Sequence, residues 1–219
     1  ILMSYKGVYE NWKKDPEAFW MTIANSIDWY KKPTHALNSE NAPLYEWFTD
    51  ARVNTCFNAV DRHLLNGRAN QTAIIYDSPV TDTKYSITYS ELHEKVATLA
   101  GALLAKGISK GDRVIIYMPM VPEGLISMLA CARIGAIHSV VFGGFASNEL
   151  AVRIDDAKPK AILAASCGIE PNRIVEYKPL IDAAIKLADH EPQTVVILQR
   201  TQCRADLIDG RDYDWMEFQ

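Results

Sequence analysis

One segment, residues 113–145 (RVIIYMPMVPEGLISMLACARIGAIHSVVFGGF), restricts the folds open to this chain. Residues 114–117 form a continuous apolar run, which reads as a strand buried on both faces. Pro122 suits the first turn of a helix that runs to Ile134, and Gly135 breaks it. Residues 137–142 give a second apolar strand, followed at once by Gly143 and Gly144 between Phe142 and Phe145. Apolar strands separated by helices imply a parallel sheet covered on both faces, with right-handed crossovers. In such sheets ligands dock at the carboxyl ends of the strands. Glycines there either admit close approach to the main chain or supply a positive φ for a tight strand-to-helix turn.

The same rhythm extends in both directions. Residues 73–76 and 85–89 read as a hairpin around Pro79 and Asp82. Ser90 is a suitable N-cap with Glu91 in the first turn, and Leu92, Val96, Leu99, Leu103 and Leu104 mark one helical face before Gly107. Ser147 is expected to cap a helix to Asp156. Strands are predicted over 161–165 and 195–198, and a helix over 180–188. The expected fold class is α/β, a mostly parallel sheet flanked by helices and preceded by a helical, aromatic-rich arm. That arm carries Tyr5, Tyr9, Trp12, Trp20, Trp29, Tyr30, Tyr45, Trp47 and Phe48. Asp15-Pro16-Glu17 opens a short helix in it, and residues 38–43 are turn-prone. Such an arm cannot bury a core alone, so its aromatics are expected to pack on a neighbouring domain; ligand recognition is the sharper alternative. Residues 54–65 then read as an amphipathic helix through Cys56, Val60 and Leu64, ending near Gly67.

Charge and cysteine content remove several functions. A net charge of −4, with scattered lysines and arginines, offers no basic field for nucleic acid or an anionic membrane. The four cysteines, Cys56, Cys131, Cys167 and Cys203, form no closely spaced pair, which argues against zinc and for reduced thiols in the cytoplasm. Cys131 is expected in the core. Residues 124–146 are long enough to span a bilayer, but Arg133, His138 and the Gly135 break favour core elements. No secretory or transit signature precedes Met3, which is the expected native start.

Three motifs carry a resemblance: ITYSEL (87–92), GISKGDRVIIYMPMVPE (107–123) and ACARIGAIHSVVFGGF (130–145). They resemble the opening motifs of acyl-adenylate-forming enzymes, and specifically the acetyl-CoA and propionyl-CoA synthetases. The aromatic arm is similar to the N-terminal extension of that branch. SCGIEPNRIVEYKPLIDAAI (166–185) resembles the propionate-activating members more than the acetate-activating ones. The resemblance implies an extension over 3–60 and the first part of the adenylate-forming domain over 61–219. It implies an AMP-forming acid–thiol ligase that joins propionate or acetate to CoA through an acyl-adenylate, using ATP with Mg2+. The family's Ser/Thr/Gly-rich phosphate loop with its lysine is expected beyond Gln219. The chain alone is therefore expected to be inactive and to hold no catalytic residue and no metal.

By the same resemblance Gly143 and Gly144 line the path of the pantetheine arm of CoA, beside the alternative of a tight turn. The loop 168–173 matches the family loop that meets the nucleotide end of CoA. Where the acetate branch has two arginines, this chain has Glu170 and Arg173. An acid beside the remaining guanidinium should weaken contact with the 3′-phosphate. His138 is expected to be a hydrogen-bonded structural residue. Asp155 and Asp156 diverge by about 100° on a helix and make no catalytic pair. Met118, Met120 and Met128 are expected to shape a turn and core. Two other classes stay open on residues alone: a flavodoxin-like binding module using the 142–145 end, and an interaction domain docking through its aromatic arm.

Overall fold

The computed structural model describes residues 4–219; Met3, the expected start, lies outside them. The chain divides into two compact units, the first ending at Asn58 and the second running from Ala59 to Gln219.

The first unit holds helices α1 (Tyr5–Lys14) and α2 (Pro16–Ala24) and a two-residue ladder of β1 (Leu37–Asn38) and β2 (Glu46–Trp47). Ser4 and Asp15 cap the two helices, each side chain accepting from a first-turn amide, and Pro16 occupies the start of α2. Within the unit, only Ala24, Ala36 and Cys56 are buried hydrophobics among the described residues. Its aromatics pack chiefly on one another: Trp20 stands edge-on to Trp47 at 5.4 Å, and Phe48 lies between Trp47 and Trp29. The amphipathic helix expected over 54–65 is interrupted, since Phe57–Asp61 is a π-helical turn that precedes α3 (Arg62–Leu65).

The second unit opens with the expected hairpin, β3 (Thr72–Ser78) and β4 (Thr83–Thr88). Helix α4 (Tyr89–Ala105) is capped by Thr88 rather than Ser90. The Thr88 hydroxyl accepts from the Glu91 amide while the Glu91 carboxylate accepts from the Thr88 amide. Strand β5 (Arg113–Met118), helix α5 (Pro122–Ile134) and strand β6 (Ile137–Phe142) follow. Helix α6 (Ser147–Ala157) begins at Ser147 without a side-chain cap, because Ala146 occupies the cap position. Next come β7 (Ala161–Ala165), β8 (Cys167–Glu170), β9 (Arg173–Glu176), α7 (Tyr177–Leu187), β10 (Thr194–Leu198), β11 (Asp212–Asp214) and α8 (Trp215–Phe218).

Five of these strands form one sheet in the order β11-β10-β7-β5-β6, and every pairing in it is parallel. Successive residues of β5 face opposite sides of the sheet. Ile115 and Tyr117 join Leu150 and Ile154 of α6 and Ile181 of α7 in one core. Val114 and Ile116 are equally buried and point the other way, toward the side where α5 packs with α4. Arg133, the charge that interrupts the apolar run, forks onto both oxygens of Asp61 at 2.8 Å. Chain order and strand order together locate the functional end of the sheet. From β5 the chain steps to β6 on one side, then returns past β5 to β7 on the other. That reversal makes a crevice at the carboxyl ends of β5 and β7.

Helix α7 is tied to the sheet by charge. Lys178 reaches Asp212 at 2.9 Å and also pairs with Asp182, while Arg211 grips Asp212 at 2.6 Å. The Asp212 side chain is fully buried and that of Lys178 nearly so. Removing one member of a buried pair leaves its partner unpaired and costs roughly 3–5 kcal/mol. Asp212→Ala should therefore lower the melting temperature sharply, whereas Asp77→Ala, which breaks an exposed pair with Lys84, should barely move it. Equal effects of the two substitutions in thermal unfolding would refute this anchoring.

Candidate functional site

The crevice at the ends of β5, β6 and β7 is built by two tyrosines and three glycines. Tyr117, next to last in β5, donates its hydroxyl to the Phe145 carbonyl at 2.8 Å and accepts from the Gly144 amide at 3.0 Å. One phenol oxygen thus holds both sides of the turn that follows β6. Gly144 has a φ of +97°, in the region that disfavours any residue with a side chain. Its amide is already occupied by Tyr117, so what Gly144 presents outward is main chain without a side chain.

Gly143 is glycine for a different reason. It is not among the glycines with positive φ, but a Cβ there would stand 2.6 Å from the Tyr177 hydroxyl and 2.8 Å from the Met118 carbonyl. Gly168, near the start of β8, is constrained in the same way, because a Cβ there would overlap the same hydroxyl. Tyr177 therefore brings together two glycines that are far apart in sequence. Its ring lies 5.0 Å from that of Tyr117, centroid to centroid. Burial pushes the Tyr177 hydroxyl up to about 12, with the neighbouring Tyr117 adding to the shift, and burial raises Tyr117 as well. Both phenols are neutral donors at any physiological pH.

The segment 168–173, read from sequence as a loop, is instead an antiparallel hairpin of β8 and β9. The hydrogen-bonding capacity of Gly168–Glu170 is absorbed by pairing with 173–175, a pattern hidden by Pro171-Asn172 at its turn. Glu170 and Arg173 face each other across the tip. The Arg173 Nε donates to Glu170 Oε2 at 2.8 Å, and Nη2 donates to Oε1 at 3.3 Å. Both side chains are largely exposed. Hydrogen bonding to Arg173 holds the Glu170 carboxyl below its ordinary value. Glu170 lies two residues along β8 from Gly168, roughly 7 Å at the rise of a strand. The site residues taken from the sequence thus fall into a glycine turn and a charged tip, joined by β8. Tyr117, Tyr177 and Gly168 were not singled out by sequence reasoning.

Other candidates resolve as structural. His138 is exposed on β6 and, although its backbone is paired with β5, its side chain makes no hydrogen bond among the described residues, contrary to its expected role. Asp155 accepts from the His190 amide at 2.9 Å. Met118 is buried, but Met120 is 93% exposed and so shapes no core. Cys131 is in the core, its thiol pushed up to about 12 by burial, and is inert. A cavity of about 200 Å3 opens near the end of β10, lined by Tyr85, Pro122, Glu123, Gln199 and Arg200 among others. Among the described residues no group of three or more His, Cys, Asp or Glu gathers to hold a metal ion, and no helix is long and apolar enough to cross a membrane.

These features define an open α/β domain with a mostly buried parallel sheet and a glycine turn beside its point of reversal, and comparison with known proteins narrows it. Residues 61–216 match the AMP-binding enzyme family, so the chain belongs to that family. Residues 5–59 match the acetyl-coenzyme A synthetase N-terminus. The chain is 52% identical over 97% of its length to human acyl-CoA synthetase short-chain family member 3, mitochondrial. It is 44% identical over 97% of its length to the propionate–CoA ligase of Salmonella typhimurium, and 53% identical over 98% to an uncharacterized protein of Pseudomonas aeruginosa. It spans 31–34% of the length of these relatives.

The packing at Gly143 makes a stability prediction. Gly143→Ala should destabilise the second unit by roughly 1–3 kcal/mol through overpacking against Tyr177 and Met118. Combining it with Tyr177→Phe, which removes the nearest atom, should recover part of that loss. Strict additivity of the two substitutions in denaturant titration would show that the contact does not constrain Gly143.

Proposed function

We propose that this chain forms the N-terminal part of a short-chain acyl-CoA synthetase acting on propionate. In the reaction class that the family implies, a carboxylate oxygen attacks the α-phosphorus of ATP, and pyrophosphate leaves. The thiol of CoA then attacks the acyl carbonyl, and AMP leaves. The region described here contributes to the second step, as one wall of the thiol's path. The observation that carries this reading is the Gly143–Gly144 turn, fixed by Tyr117 at the switch point of the sheet, with the Glu170–Arg173 tip a strand's length away. The names of the relatives, acyl-CoA synthetase and propionate–CoA ligase, support the substrate class. Mg2+ would enter with ATP, neutralising phosphate charge; this region offers it no ligand cluster among the described residues. Four free cysteines, three of them buried, suit a reducing compartment such as the cytoplasm.

At the hairpin tip, Arg173 is the cation for the nucleotide end of CoA and Glu170 is its internal competitor. An exposed ion pair is weak enough for a phosphate to displace. In the full-length enzyme, Arg173→Ala should raise the KM for CoA on the order of tenfold while leaving propionate-dependent ATP–pyrophosphate exchange unchanged. Glu170→Gln should act in the opposite direction and lower that KM. Dephospho-CoA should erase the difference between wild type and Arg173→Ala. An unchanged KM for CoA in both variants would return the pair to a solvated surface role and remove the hairpin from the site.

A further inference from the structure

The Tyr177 hydroxyl is anomalous among the polar groups of this region. Its residue is 4% exposed, yet among the described residues the hydroxyl has no hydrogen-bond partner. Tyr117, equally buried and in ring contact with it, has its own hydroxyl satisfied twice. Buried hydroxyls in native proteins almost always find a partner in the protein or in water. The tip of Tyr177 is not among the fully enclosed side-chain polar atoms, so a path to solvent stays open there.

The surroundings of that atom are as specific as its lack of a partner. Two chain segments, the turn after β6 and the start of β8, give up their Cβ atoms to make room for it. Neither Gly143 nor Gly168 has the positive φ that would require glycine on backbone grounds. The hydroxyl is the nearest obstacle at both positions, 2.6 Å from where a Gly143 Cβ would be, with ring carbons of Tyr177 at 2.7–2.8 Å close behind it. A phenylalanine ring would crowd both positions as well, so what the tyrosine adds there is an unpaired donor at the tip of the ring. The arrangement makes sense if the hydroxyl is exposed through a window in the main chain, to be used by something that passes over it.

We propose that Tyr177 is a thiol-substrate contact, donating its hydroxyl through the Gly143–Gly168 window to an amide carbonyl of the CoA arm. The proposal rests on the reading that the glycine turn lines the path of CoA. A neutral donor suits a neutral acceptor. The arm of CoA carries two amide carbonyls and no charge, whereas its charged groups lie at the nucleotide end, where the Glu170–Arg173 tip offers a cation. With its pKa pushed up to about 12, the phenol keeps its proton throughout the range in which a thioester can be formed.

The test is Tyr177→Phe in the full-length enzyme, with three readouts: the KM for CoA in thioester formation, ATP–pyrophosphate exchange, and the melting temperature. The expected result is a rise in the KM for CoA of roughly five- to tenfold, the effect of one neutral hydrogen bond, with exchange unchanged. The melting temperature should stay level or rise, since no internal bond is lost. An unchanged KM for CoA overturns the proposal, and so does a joint fall of both half-reactions with the melting temperature, which marks a structural hydroxyl. Arg173→Ala, run in parallel, separates the two levels. If it raises the KM for CoA while Tyr177→Phe does not, the Tyr177 contact fails and the CoA-path reading stands. If neither variant moves that KM, the reading itself fails.

Discussion

The phenol oxygen of Tyr117 is the joint on which the site depends. β5 is the strand at which the chain reverses direction across the sheet, and its neighbours β6 and β7 both end beside it. A strand end in water has no reason to adopt one turn over another. By donating to Phe145 and accepting from Gly144, Tyr117 gives the turn after β6 two hydrogen bonds from a rigid side chain. Tyr117 is itself fully buried among Ile115, Leu150 and Ile162, so the turn inherits the rigidity of the core. The glycine pair is flexible by composition and fixed by context.

A second chain of constraint runs from charge to shape. Asp212 on β11 holds Lys178, which is the residue after Tyr177 at the start of α7. The ion pairs with Asp212 and Asp182 lock the first turn of α7 in rotation about its axis. That rotation decides where the Tyr177 ring points, and the ring in turn dictates glycine at 143 and 168. A buried ion pair adds little net stability compared with an apolar replacement, but it specifies one arrangement where apolar contacts tolerate several. Here the arrangement it specifies is the position of one hydroxyl about an ångström inside van der Waals reach of a missing side chain.

Much of this architecture was legible in the sequence. The bounds of α5, β6 and β7 follow from Pro122, Gly135 and the apolar runs; β7 is buried on both faces as expected, whereas β6, at the edge of the sheet, leaves Ile137, Val140 and Phe142 exposed. Caps were harder: Ser90 and Ser147 are good cap residues, yet the choice of Thr88 depended on a reciprocal bond with Glu91, and Ala146 stands where a polar cap was expected. The hairpin 167–176 was missed because short, partly exposed strands have no strong periodicity. In the candidate site, Gly143 and Gly144 were visible as adjacent glycines at a strand end, and Arg173 through its motif. Gly168 and Tyr177 were not, because each is ordinary in its local context and acquires meaning only when the sheet order brings β6 and β8 to the same place.

These constraints also determine what kind of contribution the region can make. Neither phenol ionises near neutral pH, Glu170 stays ionised below the usual carboxylate range, and Arg173 stays charged. Cys167, which borders the same crevice, is buried, and its thiol is raised by that burial. No group at this wall can therefore gain or lose a proton in step with a reaction at neutral pH. Its part is geometric: a side-chain-free turn, a fixed donor behind it and a cation–anion pair at a hairpin tip. Under the proposed reading, such a wall suits a flexible thiol arm, since a long, mostly neutral chain gains more from a track that fixes its path than from acid–base groups along it. This wall is rigid without being reactive.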